Sequence, residues 1–174
     1  MTERVDFYVL KSSTAKQRWT FACRLTEKAY LRDLKVVLLS ESAADAEALD
    51  ELLWTFNERA FVPHELRTGA PATGAASRAA SASASASASA SASASASGFA
   101  PAVQLTQDLD SIEAADLLVN LSDRLPARLD RFARIAEIMD GDAERRAKGR
   151  ERFKAYRDMK LPVETHQLDE SSGA

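Results

Sequence analysis

Short, wholly apolar runs alternate along this chain with stretches of helical periodicity. Phe7 to Leu10 (FYVL) and Val36 to Leu39 (VVLL) carry no polar positions, which is the pattern of strands covered on both sides. Between them, Trp19, Ala22, Cys23, Thr26, Ala29 and Tyr30 recur at helical intervals. Thr14 and Gln17 have capping-box spacing, so a helix is predicted from Thr14 to about Asp33. Ser42 and Asp45 repeat that signature ahead of Ala46, Leu49, Leu52, Leu53 and Phe56, a second helix. Strand, helix, strand, helix with short joints predicts an α/β chain built on an open, largely parallel sheet.

Beyond Asn57 the pattern changes. Phe61-Val62-Pro63-His64 is apolar but broken by proline, and reads as an irregular or edge segment. Residues 67–101 hold no periodic apolar face, and Ser81 to Ser97 is a strict Ser-Ala alternation. Methyl groups alone cannot offset the roughly 1–2 kcal/mol per residue that ordering a backbone costs. The stretch is therefore expected to be a disordered loop within one domain spanning 1–165. Ala102 to Leu105 and Leu117 to Leu121 (LLVNL) read as further strands, with Asp108 to Glu113 as a lead-in turn and a short helix over Arg128 to Arg131 after Pro126. Phe132, Ile135, Ile138 and Met139 fit either a helix or a last strand. Residues 166–174 are expected to form a flexible tail.

The 174 residues, 45% hydrophobic and 28% charged, are those of an ordinary globular protein. A net charge of -3 and a pI near 5.5 argue against a protein that coats nucleic acid. Charge is unevenly placed, however. Glu41 to Glu58 holds six carboxylates and no Lys or Arg, whereas Asp142 to Lys160 holds eight Lys or Arg against four carboxylates. A single cysteine, Cys23, excludes an internal disulfide and suits a reducing compartment. No apolar run approaches the ~18 residues of a membrane span, and the start has no signal-peptide layout, so a cytoplasmic, non-membrane protein is expected.

The basic stretch Gly141 to Lys160 is predicted to be a helix capped by Asp140 or Asp142. At about 100° per residue, Arg146, Arg150, Phe153, Arg157 and Lys160 share one sector, with Lys154 at its margin. A bare charge run is ordinarily a solvated face. Cations around a central ring instead suit an acidic ligand that also carries an apolar group. Ala147, Ala155, Tyr156 and Met159 are left to attach the helix to the body.

Motifs for chemistry are missing. The turn after the first strand, LKSSTAKQ, has no glycine, so there is no dinucleotide fingerprint, and no P-loop occurs elsewhere. Two histidines, His64 and His166, and one cysteine give no recognisable metal-ligand spacing. Cys23 reads as core filler and His64 as a satisfied or solvated loop residue. No catalytic site, cofactor or metal is expected.

DFYVL at the start, LDELLWTFNERAFVPHEL at 49–66, ADLLVNLSDRLP at 115–126 and RERFKAYRDM at 150–159 together resemble the chi subunit family of bacterial DNA polymerase III. The likeness runs in order along nearly the whole chain apart from about 67–101, where the family has a short Gly/Pro-rich loop. It implies a Rossmann-like sheet and a non-catalytic adaptor. Such an adaptor links single-stranded DNA-binding protein, through that protein's acidic C-terminal tail ending in phenylalanine, to the clamp loader by way of the psi subunit. Matching positions for the tail are Met139, Arg146, Arg150, Phe153 and Lys154, with Phe153 standing where the family usually has tyrosine. Trp54 and Phe61 match the psi-binding aromatics. The resemblance implies a monomer when free and a heterodimer with psi, touching DNA only indirectly.

From the residues alone, Trp54 fits an exposed anchor or a core position. Two rival functions stand beside the adaptor. One is a weak single-stranded nucleic-acid-binding module using the 142–160 helix with Phe153 as a stacking platform. The other is a nucleotide-using enzyme on a doubly wound sheet, against which the missing glycines count.

Overall fold

A computed structural model describes residues 1–12, 14–59, 61–67, 102–110 and 112–168. In chain order these form β1 (Arg4–Leu10), α1 (Ala15–Tyr30), β2 (Val36–Leu39), α2 (Ala43–Thr55), β3 (His64–Arg67), β4 (Val103–Thr106) and β5 (Ala115–Asn120). A 3-10 turn at Leu129–Arg131 then leads into β6 (Phe132–Met139), α3 (Ala143–Asp158) and β7 (Val163–Leu168). Among the described residues the strands make one seven-stranded sheet in the order β3-β4-β2-β5-β6-β1-β7. Every pairing is parallel, an α/β, Rossmann-like arrangement.

The unbroken apolar runs follow from helices on both faces. In β2, Val36 and Leu38 join Ala22, Cys23, Leu49 and Leu53 of α1 and α2, while Val37 and Leu39 join Phe7, Ile135 and Tyr156 on the α3 side. Successive side chains point to opposite faces, so a strand buried twice has no polar position to offer. Cys23 lies in the first of these cores, and burial pushes its thiol up to about 12, as suits an inert filler.

Three expectations are refined. Phe132–Met139 is a strand, held between β1 and β5, so the helix reading of that segment is set aside. The proline-broken segment ends in the edge strand β3, with Val62 buried ahead of it. The expected tail from 166 is corrected in its first part: His166, Gln167 and Leu168 complete β7, paired to β1 from Val5↔Val163 to Leu10↔Leu168. His166 stacks on Tyr8 and lies 3.0 Å from Asp6 Oδ1. Its neighbours are polar because an edge strand keeps one side in water. The Ser-Ala alternation and residues 169–174 lie outside the described residues.

Candidate functional site

The basic helix α3 begins on Asp142, whose carboxylate accepts the Arg145 backbone N–H at 3.0 Å. That bond holds the Asp142 carboxyl below its usual range. Ahead of it, the Gly141 N–H donates to the Ser12 carbonyl at 2.7 Å, tying the start of α3 to the end of β1. A Cβ at Gly141 would stand 3.1 Å from the Lys11 carbonyl oxygen, so glycine permits that approach.

The inward face of α3 consists of Gly149, Arg152 and Tyr156. Arg152 Nε donates to Glu137 Oε2 at 3.0 Å, and Tyr156 and Asn120 donate to Oε1 at 2.6 and 2.8 Å. Glu137 is 0% exposed. Burial pushes its carboxyl up from the ordinary range, against the Arg152 charge and the Asn120 and Tyr156 hydrogen bonds. Arg152 is thus part of the attachment of the helix. Of the residues expected to make that attachment, Tyr156 does so and Ala155 is half-buried, whereas Ala147 and Met159 are exposed. Gly149 seats the helix on Met139: a Cβ there would fall 2.2 Å from the Met139 sulfur.

Between α3 and the C-terminal ends of β1 and β7 lies a cleft of about 390 Å³, lined by Val9, Leu10, Lys11, Met139, Arg146, Arg150 and Gln167. Its apolar floor and cationic rim can hold a ring and a carboxylate together. Arg146 is oriented by its Nε–H, which donates to the Asp140 carbonyl at 3.2 Å. Arg150, Lys154 and Arg157 are exposed and have no carboxylate partner among the described residues.

Of the five tail-site candidates, the structure brings Met139, Arg146 and Arg150 to one cleft. Phe153 and Lys154 do not line it. Phe153 is half-buried and packs edge-to-face on Phe7, centroids 5.2 Å apart, instead of standing free among the cations. Gly149, Arg152 and Gln167 were not legible as site residues. For the first two the signal was present in the spacing of 149, 152 and 156, which share the side of the helix opposite Arg150.

The second candidate patch stands on the other helical layer. Trp54 at the end of α2 is 49% exposed and Phe61 is 68% exposed, with ring centroids 5.4 Å apart. The core reading of Trp54 therefore does not hold; Leu53 beside it fills the core. His64 lies under the Trp54 ring at 4.6 Å. Its side chain is fully buried: Nδ1–H donates to the Val62 carbonyl at 2.7 Å, and Nε2 lies 3.1 Å from Asp50 Oδ1 without a hydrogen bond.

A metal cluster was not expected from two histidines, yet Asp6, Glu164 and His166 bring one ligand atom each to within 4.8 Å of one another. Arg4 and Arg134 already pair with Asp6 at 3.1 and 2.6 Å, so a cation would have to compete with two guanidinium groups. Among the described residues no helix is long and apolar enough to cross a membrane.

Residues 1–164 match the family described as DNA polymerase III chi subunit, HolC. A relative in Pseudomonas aeruginosa named DNA polymerase III subunit chi is 32% identical over 165 residues, covering 95% of this chain and 96% of its own. Another of that name, in Haemophilus influenzae, is 24% identical over 158 residues, covering 90% and 92%.

Proposed function

The chain belongs to the DNA polymerase III chi subunit family, and from that premise we propose that it is a non-catalytic adaptor in DNA replication. In this reading, the cleft under α3 takes the acidic, phenylalanine-ended C-terminal tail of single-stranded DNA-binding protein. The Trp54–Phe61 face takes the psi subunit or an equivalent clamp-loader partner. A subunit of the replicative polymerase works on the chromosome, in the bacterial cytoplasm.

The observation that carries the tail reading is the placement of Arg146 and Arg150 at the rim of a floor made by Val9, Leu10 and Met139. Arginine grips a carboxylate bidentately, and Arg150 has no carboxylate partner among the described residues to give up. A slot of this kind takes an aromatic side chain and a terminal carboxylate from one residue. Phe153 and Lys154 contribute from outside the cleft, Phe153 by supporting Phe7 and Lys154 as a further cation for acidic residues upstream of the terminal ring.

The test is a fluorescence-polarisation titration of a labelled acidic peptide ending in phenylalanine against labelled oligo-dT of similar length. Saturable peptide binding is expected. It should be lost when the terminal Phe is removed, and should weaken about 10- to 100-fold in Arg150→Glu, the scale of one charge-assisted bidentate contact turned into a repulsion. Tighter binding of oligo-dT would replace this reading with that of a nucleic-acid-binding module.

A further inference from the structure

The exposed side of α2 carries Glu47, Glu51 and Trp54 at spacings of four and three residues, which align them in one stripe. Exposed Glu58 follows in the turn beyond the helix, and Phe61 beyond that. The other carboxylates of this region have close neighbours: Glu41 lies 3.7 Å from Arg124, Asp50 lies 3.1 Å from His64 Nε2 without a hydrogen bond, and Asp45 sits in the first turn of α2. Glu47, Glu51 and Glu58 have no cationic partner among the described residues. From Glu41 to Phe61 the sequence supplies one cation, Arg59.

Three unneutralised carboxylates beside two exposed rings make a surface that discriminates by sign. We propose that the Trp54–Phe61 face docks a basic protein surface, with Lys and Arg around an apolar slot that receives the two rings. This deepens, and rests on, the reading of Trp54 and Phe61 as the contact for a second subunit. The rings are suited to entering a slot because they are already held: Trp54 lies between Phe61 at 5.4 Å and the buried, hydrogen-bonded His64 at 4.6 Å. Little side-chain freedom is left to lose on binding, which is the character of an interface anchor. The carboxylates then act at longer range, attracting a cationic partner and repelling acidic peptides, nucleic acid and anionic lipid. The two faces of the molecule become electrostatically exclusive, so that an acidic tail suited to α3 is turned away from α2.

The experiment uses the full chain with two labelled probes of one amphipathic helical frame, one of Leu and Lys, the other of Leu and Glu. At low ionic strength, where the Debye length is about 30 Å at 0.01 M, the Leu–Lys peptide is expected to bind saturably at the Trp54–Phe61 face, and any binding of the Leu–Glu peptide is expected at α3, lost in Arg150→Glu and kept in Trp54→Ala. The triple variant Glu47→Gln, Glu51→Gln, Glu58→Gln should weaken Leu–Lys binding about tenfold, the sum of three exposed charge contacts, mainly by slowing association. Trp54→Ala should act mainly by speeding dissociation, and Arg150→Glu should change neither rate. The proposal is overturned if Leu–Glu binding is lost in Trp54→Ala, if Leu–Lys binding survives Trp54→Ala, or if the Leu–Lys peptide does not bind. Failure of the tail reading would appear separately, as no binding of the phenylalanine-ended acidic peptide by the same wild-type protein.

Discussion

The two helix faces solve one problem in opposite ways. On α2 and just beyond it the protein exposes its own rings, Trp54 and Phe61, beside carboxylates that have no cationic partner among the described residues. On α3 it folds Phe153 and Tyr156 back against Phe7 and leaves Arg150, Lys154 and Arg157 outside, Arg150 beside a slot that Met139 also lines. In the reading proposed above, the first face inserts an aromatic into its partner and the second receives one. The aromatic content of a binding helix therefore does not by itself say which side supplies the anchor. What separates the cases is the layer beneath: His64 props Trp54 outward, whereas the Glu137–Arg152–Tyr156 network draws α3 down onto the sheet.

That contrast can be broken most forcefully at Arg152. Arg152→Ala leaves a buried carboxylate without its countercharge and should cost about 3–5 kcal/mol of folding stability. Arg150→Ala, two residues away on the wet face, should stay within about 0.5 kcal/mol. Urea denaturation of the pair decides it, and equal losses would mean that the helix has no distinct inward face. A smaller effect is expected at the rings. Phe153→Ala should cost about 2 kcal/mol, below the ~3–5 of a fully buried phenylalanine, because the ring is half-buried. Trp54→Ala should cost less than Phe153→Ala, about 1 kcal/mol, because half of the ring is already exposed, and a drop of several kcal/mol there would return Trp54 to the core. The finest probe is Gly149→Ala. Helix propensity gains up to about 1 kcal/mol from the change, and the new methyl must displace the Met139 side chain. Stability should therefore shift little, while affinity for the phenylalanine-ended peptide falls a few-fold. Unchanged affinity would remove Met139 from the floor of the slot.

The parts of this molecule legible from sequence were those where one physical pressure acts alone. VVLL and LLVNL could only be strands covered on both faces, and the caps at Ser42 and Asp142 form as their spacing suggests. β6 was ambiguous because burial on both faces removes the period-two signal, and Phe132, Ile135 and Ile138 also fit a helical spacing. β7 was missed because VETHQL is polar; its order comes from β1, through pairing and the contacts of His166 with Asp6 and Tyr8, and a partner so distant in sequence leaves no local trace. In the candidate site, the outward cations were legible from helical phase. Phe153 was misplaced because a wheel gives direction and not depth: its ring leans to the edge of the helix and meets Phe7. Arg152 was lost among seven other cations, although its phase set it with Tyr156.

The position of β1 has a consequence for how the protein is made. Of the seven strands described it is made first, yet its two neighbours in the sheet are β6 and β7, which are made last. At a synthesis rate of about 5–20 residues per second, the roughly 120 residues between the end of β1 and the start of β6 take about 6–24 s to appear. Throughout that interval FYVL is an apolar segment with no place to pair, while β2 and the helices after it can begin to associate. The nascent sheet is thus most exposed to misassembly at β1, and it closes around β1 only after β6 and β7 have been made.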